Sequence, residues 1–324
     1  MLAKFSYRRT TSIQEAAAAA SRPEVRILAG GTDLLGCLRD GVFQASRLVS
    51  INGIKDLRGI GPRTGGGLRI GALTTLTAIA ENRQVLDGYP VLAQAAAAVG
   101  SPQLRNQGTL GGNLCQRPRC WYFRGDFHCL RKGGEQCFAA AGQNQLHCIF
   151  GGYECFMVHP SDVAPALVAL DAKVSVAGPR GTRQMPLASF FVLPKASHLK
   201  ENVLEPGELV TEVLLDAPQP GTRGAYRKAR ERGAFDFALA GAAIVLTMAE
   251  GKVKTARLVL SGVAPVPWRS AEAEQALVGK PLDAATAGAA AAAAVKAAVP
   301  LRDNGYKVPL VRGLLEESLI ALAV

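Results

Sequence analysis

The chain has 324 residues, of which 48% are hydrophobic, 19% charged and 6% aromatic; this is a globular composition and excludes a disordered, collagen-like or mucin-like chain. Lys and Arg number 37 against 26 Asp and Glu, a net charge of +11, which suits an anionic cofactor, an acidic partner, a membrane surface or nucleic acid. The basic residues are scattered and no helix-turn-helix, finger or RNP pattern occurs, so nucleic acid is not expected as a partner.

At this length two domains are expected. Thr11 or Ser12 caps a helix formed by Gln14–Ala20. Val25–Ala29 reads as a short buried strand that runs into Gly30-Gly31-Thr32-Asp33. Val49–Ile51 and Leu68–Leu73 read as further strands, the second preceded by a turn at Gly65–Gly67. Ala-rich helices are expected over Thr75–Leu86 and Pro90–Val99, then a glycine-bearing stretch, Gly100–Asn113, and a Cys-rich segment to Cys155. Asp162–Leu170 has helical spacing and Lys173–Ala177 strand character. The composition turns to Pro and Gly at 216–224, where a domain boundary is placed: 1–218 and 222–324. Beyond it, Ala240–Met248 and Val253–Val263 form a hairpin across Glu250-Gly251, followed by helices at Asp283–Val299 and Val308–Ala323. The longest apolar stretch, Ala238–Met248, is too short to span a bilayer, and the first residues show no apolar signal core.

Five constellations carry possible chemistry. In Leu28-Ala29-Gly30-Gly31-Thr32-Asp33, paired glycines let the backbone approach an anion, and successive N–H groups can form a nest for phosphate oxygens. Gly108-Thr109-Leu110-Gly111-Gly112-Asn113 repeats the pattern. Two such loops suggest a ligand held at both ends, a nucleotide cofactor above all. Neither loop has the spacing of the dinucleotide fingerprint or the Walker loop. In His159-Pro160-Ser161-Asp162, Ser161 or Asp162 either caps the next helix or accepts from a sugar or polyol hydroxyl. The run Tyr226–Arg232, continued by Ala234-Phe235-Asp236-Phe237-Ala238, is either a solvated charged strand or a cation source beside a bound anion or reduced cofactor.

The fifth constellation is the cysteine cluster. Six of seven cysteines fall at 115, 120, 129, 137, 148 and 155. In a long chain without a visible export signal this points to metal or redox chemistry rather than disulfides. The gaps from Cys120 to Cys129, Cys137 and Cys155 are eight, seven and seventeen residues. Paired zinc knuckles are lacking, while a 4Fe–4S cluster tolerates such spacing. Arg117, Arg119, Arg124, Arg131 and Lys132 would stabilise a thiolate-rich centre.

Taken together, AGGTDL (29–34), SPQLRNQGTLGGNL (101–114), HPSDVAPAL (159–167) and the C-terminal RDNGYKVPL (302–310) resemble the FAD-binding medium subunit of the molybdenum hydroxylases, over essentially the whole chain. That family includes xanthine dehydrogenases, carbon monoxide dehydrogenases and aldehyde oxidoreductases. The inserted segment, about 115–155, is similar to that of periplasmic aromatic-aldehyde oxidoreductase FAD subunits and less closely to that of 4-hydroxybenzoyl-CoA reductase.

The resemblance implies an α+β fold: a vanillyl-alcohol-oxidase-type (PCMH-type) FAD-binding domain of two subdomains, then a C-terminal domain of antiparallel sheet and helices. It implies FAD held by Leu28, Ala29, Gly30, Gly31, Thr32, Asp33, Leu34, Thr109, Gly111, Gly112, Asn113 and Asp162, with Lys228 near the flavin and Arg227 aligning almost as well. It implies a 4Fe–4S cluster on Cys120, Cys129, Cys137 and Cys155, leaving Cys115 and Cys148 spare. The implied partners are a large molybdopterin-binding subunit and a small 2Fe–2S subunit, the implied substrate an aldehyde. The implied location is the periplasm, reached with a signal-bearing partner, or otherwise the cytoplasm. Benzoyl-CoA-type reduction and xanthine-dehydrogenase-like activity are the alternatives within the family; outside it stand an iron–sulfur or zinc scaffold without flavin and a basic nucleic-acid-binding protein.

Overall fold

The computed structural model describes residues 2–323. Three sheets organise them. The first is parallel: β1 (Ser6–Arg9) and β2 (Val25–Leu28) flank β3 (Arg47–Ser50). The second is antiparallel, with β4 (Ile60–Pro62), β5 (Leu68–Gly71), β6 (Lys173–Gly178), β7 (Gly181–Pro186) and β8 (Leu209–Leu215) in the order β4-β5-β8-β6-β7. The third is also antiparallel: β9 (Thr222–Ala229), β10 (Ala240–Ala249), β11 (Lys252–Ser261) and β12 (Trp268–Arg269) lie in the order β12-β11-β10-β9.

The first helix, Ile13–Ala19, is capped by Ser12, whose Oγ accepts from the Glu15 N–H. The helix expected over 75–86 is instead two, Leu76–Glu81 and Arg83–Gly88. Asn82 divides them because its side chain accepts from the Val85 N–H and so starts a new helix. The stretch after Gly100 holds two further short helices, Pro102–Gln107 and Leu110–Leu114, capped by Ser101 and Thr109.

The hairpin expected at Glu250-Gly251 is β10–β11. The first half of β10 and the second half of β11 are buried on both faces, which explains their continuous apolar runs, while Lys252, Lys254 and Thr255 at the start of β11 are exposed. Ala242, Ile244 and Leu246 pack with the helices Ala271–Leu277, Ala284–Val295 and Lys307–Ala321. The alternate residue Ala243 joins Tyr226 and Val259 in the core shared with the five-stranded sheet and the helices Pro90–Ala97 and Val163–Ala169. One core therefore runs through both halves of the molecule.

The RDNGYK motif fastens the end of the Cys-rich segment to this frame. Asn304 is fully buried; its Nδ2 donates to the carbonyls of His147 and Cys148, both at 3.1 Å, and its Oδ1 accepts from the Leu301 N–H at 2.7 Å. The buried Lys307 Nζ donates to the Gly262 and Leu146 carbonyls, and burial holds its pKa down to about 8. Replacing Asn304 by Ala strands buried backbone groups, each costing about 1–3 kcal/mol. The expected result is a loss of about 3 kcal/mol in chemical unfolding; a loss under about 1 kcal/mol would contradict the buried-amide role.

Candidate functional site

Three segments converge on one cavity of about 530 Å³. The first is the loop after β2. Gly31 adopts φ +76°, a conformation open to glycine without steric cost. Gly30 lies so close to the second loop that a Cβ there would overlap the Gln107 carbonyl oxygen. The N–H groups of Gly30, Gly31 and Thr32 donate to no protein acceptor among the described residues, so they remain available to a ligand's oxygens.

The second segment is the Leu110–Leu114 helix and its cap. Thr109 Oγ1 accepts from the Gly112 N–H at 3.2 Å. Gly111 packs on Ala72, whose Cβ would stand 3.0 Å from a Gly111 Cβ.

The third segment is the HPSD stretch, where the sequence left capping and ligand binding open. The structure divides the two roles between neighbours. Ser161 Oγ accepts from the Ala164 N–H at 2.9 Å and donates to Asn113 Oδ1, tying this stretch to the second loop. Asp162 makes no cap bond and lines the cavity. Its Oδ1 accepts from the Tyr226 hydroxyl at 2.6 Å and its Oδ2 from Lys228 Nζ at 2.8 Å. Burial raises the Asp162 carboxyl above its ordinary range, opposed chiefly by the Lys228 charge, and it pushes the Tyr226 phenol well up.

Ala29, Gly30, Gly31, Thr32, Asp33, Leu34, Thr109, Gly111, Gly112, Asn113 and Asp162 all line this one cavity. Leu28 ends β2 and packs under Gly31. Lys228 stands behind Asp162, its Nζ also donating to the Ala98 carbonyl at 3.1 Å. Strand alternation separates it from Arg227: on β9, Tyr226 and Lys228 turn inward and Arg227 is exposed.

Asp33 has a second occupation. Its carboxylate accepts from the Arg117 N–H and from the guanidinium groups of Arg119 and Arg124, each at 2.7 Å. The three arginines, read from the sequence as charge around the cysteines, thus clamp the Cys-rich segment to the first glycine loop. Arg119 also stacks on Phe237, 5.0 Å from its ring centroid, and both line the cavity together with Phe235 and Arg117. Their meeting at this cavity was not readable from the sequence, because the loop after β9 and the Cys-rich segment come together only in the folded chain. Asp33→Ala removes all three contacts. Limited proteolysis should then cut the 117–132 region at least several-fold faster; an unchanged rate would contradict the clamp.

The cysteines separate into two groups. Cys120, Cys129, Cys137 and Cys155 line one small space with Phe123, Phe138, Arg131 and Met157. Cys115 and Cys37 line the larger cavity instead, and Cys148 is buried outside both linings. Cys155 Sγ accepts from Arg131 Nε at 3.4 Å, and Cys120 Sγ lies 3.2 Å from His147 Nε2. A hydrogen bond from the Cys137 thiol, then the Arg131 charge, hold the Cys155 thiol well below its usual range; donating that bond pushes Cys137 up. Burial pushes Cys120 up to about 11 and Cys148 to about 12. Among the described residues no three His, Cys, Asp or Glu side chains converge tightly enough to hold a single metal ion.

Comparison with known proteins identifies the family. Residues 3–218 match the family described as the FAD binding domain in molybdopterin dehydrogenase, and residues 224–321 the CO dehydrogenase flavoprotein C-terminal domain. The chain belongs to the molybdenum hydroxylase flavoproteins. It is 40% identical to the aldehyde oxidoreductase FAD-binding subunit PaoB of Escherichia coli, over 84% of this chain and 86% of that one. It is 29% identical to the carbon monoxide dehydrogenase medium chain of Hydrogenophaga pseudoflava, over 98% of this chain and 96% of that one. The solved carbon monoxide dehydrogenase of that organism superposes with a TM-score of 0.80 at 28% identity, covering 99% of this chain and 98% of the other.

As a flavoprotein subunit of this family, the chain is part of an oxidoreductase, and its cavity fits FAD on the structure's own terms. Its lining holds glycine backbones that a Cβ would obstruct, N–H groups with no protein acceptor among the described residues, and a buried carboxylate. The Asp162 network also joins the two matched regions, since Asp162 lies in the first and Tyr226 and Lys228 in the second. No helix among the described residues is long and apolar enough to cross a membrane.

Proposed function

We propose that this chain is the FAD and 4Fe–4S electron-transfer subunit of a heterotrimeric, molybdenum-dependent aldehyde oxidoreductase. The observation that carries the reading is the selection of thiols: Cys120, Cys129, Cys137 and Cys155 line one small space, and the other three cysteines lie outside its lining. Four thiols set around a space, rather than on a point, suit a multi-atom cluster and not a lone zinc ion. The largely apolar wall and the Arg131 hydrogen bond suit an anionic sulfur centre. The identity to a subunit named for aldehyde oxidation supports the substrate class.

In this reading Asp162, Asn113 and the glycine loops hold the FAD, and Lys228 and Tyr226 hold Asp162. When bound, the cofactors supply one-electron acceptance and two-electron delivery. The chain's own residues position the FAD beside the Cys-rich segment through Asp33. A large molybdopterin-binding subunit oxidises the aldehyde and a small 2Fe–2S subunit passes the electrons here; the excess positive charge favours an acidic docking face. The proposal places the FAD-binding and C-terminal domains at 1–218 and 222–324. It also places the assembly in the periplasm, exported with a signal-bearing partner.

The test is rapid mixing of the purified assembly with an aromatic aldehyde, without an acceptor. Loss of flavin absorbance within the turnover time is expected; a flavin that stays oxidised would overturn the proposal. The ligand set has its own expected outcome. Serine at any of Cys120, Cys129, Cys137 or Cys155 should cut bound iron in this chain by more than half. Serine at Cys37, Cys115 or Cys148 should leave it unchanged. Iron retained by the first set would contradict the assignment.

A further inference from the structure

Arg131 is set apart from the other arginines of the Cys-rich segment. Its side chain is 1% exposed. Nε donates to Cys155 Sγ, Nη1 donates to Glu201 Oε1 at 2.8 Å, and Nη2 is buried without a protein partner. The residue also lines the space shared by the four thiols. Glu201 is buried in turn and reaches the segment from the loop between β7 and β8. Its Oε2 pairs with Arg117 Nε at 2.8 Å, and the Arg117 N–H donates to Asp33 on the first glycine loop. A buried cation that lines this space, with one nitrogen on a thiol sulfur and another without a protein partner, suits something negative there. The Glu201 carboxylate, 70 residues away in the chain but 2.8 Å from Nη1, sets how much of its charge is left over.

We propose that Arg131 and Glu201 form a tuning pair for the redox centre held by the four thiols, Arg131 raising its reduction potential and Glu201 moderating that effect. The inference rests on the cluster reading above. The physical cause is direct: reduction adds one electron and no proton to an anionic centre, so a hydrogen-bonding cation at a ligand sulfur favours the reduced form. Removing the cation disfavours reduction. Removing the carboxylate leaves the cation uncompensated and favours it. Arg131 and Glu201 are positioning residues in this account, because neither is a ligand.

The experiment is a potentiometric titration of the whole assembly, followed by electron paramagnetic resonance, with iron and FAD content measured alongside. The relevant signal is the one that Cys137→Ser abolishes. Arg131→Gln should lower its midpoint by at least the ~59 mV that corresponds to a tenfold change in a one-electron equilibrium. Glu201→Gln should raise it, and Arg131→Lys, which keeps the charge, should stay nearer the wild type than Arg131→Gln. A merely structural pair would lose iron in the variants or move both midpoints the same way. Either result, or midpoints unmoved with iron retained, would overturn the proposal. If Arg131→Gln fails to assemble, an unchanged midpoint in Glu201→Gln still refutes it. A wild-type assembly without the Cys137-dependent signal and its iron would overturn the cluster reading itself and this inference with it.

Discussion

Lys228→Met should destabilise the protein by about 3–5 kcal/mol, the cost of leaving a buried carboxylate without its cation. Asp162 is buried in the shared core, and in this variant only the Tyr226 hydroxyl remains on it. The deficit should depend on pH in a defined direction. Asp162 has a raised pKa when folded, so the stability tied to it is complete below the ordinary carboxylate pKa and declines as pH rises through the folded value. Without Lys228 that rise in pKa is larger. The variant should therefore unfold most readily at neutral pH and recover part of its deficit on acidification toward pH 4. Chemical unfolding across this range reads the effect. Lys228→Met with Asp162→Asn should restore most of the stability, since no buried charge then remains, while FAD retention should stay low. Equal destabilisation at every pH would show that Lys228 acts by packing alone.

Gly30→Ala should weaken FAD binding at least tenfold, about 1.4 kcal/mol, by forcing the two glycine loops apart. The added methyl would occupy the place of the Gln107 carbonyl oxygen, a backbone atom that cannot rotate away. Gly61→Ala is the control: a Cβ there meets nothing within 4 Å, so binding should not change. Fluorescence recovery on FAD release measures both variants. Wild-type affinity in Gly30→Ala would mean that the loops do not hold the cofactor between them.

The glycine loops were legible in the sequence because close backbone approach demands a residue without a Cβ, and that demand is written as glycine. The hairpin β10–β11 was legible because turn residues sit between two apolar runs. The parallel sheet was legible only in β2 and β3: β1 is Ser-Tyr-Arg-Arg, exposed along its length, and carries no apolar alternation. Its pairing with β3, some forty residues away, exists only in the folded chain. The choice between Lys228 and Arg227 was open to period-two reasoning, because Tyr226 and Lys228 share a face of one strand. The choice of four cysteines from six came from family likeness. Spacing alone could not show that Cys115 faces the larger cavity and that Cys148 lies outside the thiol-lined space. Glu201 carried no signal at all, since a lone glutamate in a polar loop gives no sign of the two arginines that it meets 70 and 84 residues upstream.

The most direct measurement is the absorption spectrum of the purified assembly, with FAD, iron and acid-labile sulfide quantified against this chain and against its Gly30→Ala and Cys137→Ser variants. The account predicts flavin bands with one FAD per chain, lost in Gly30→Ala. It also predicts about four iron and four sulfide beyond those of the partner clusters, lost in Cys137→Ser. An assembly without flavin would contradict the central claim that the cavity between the glycine loops is an FAD site.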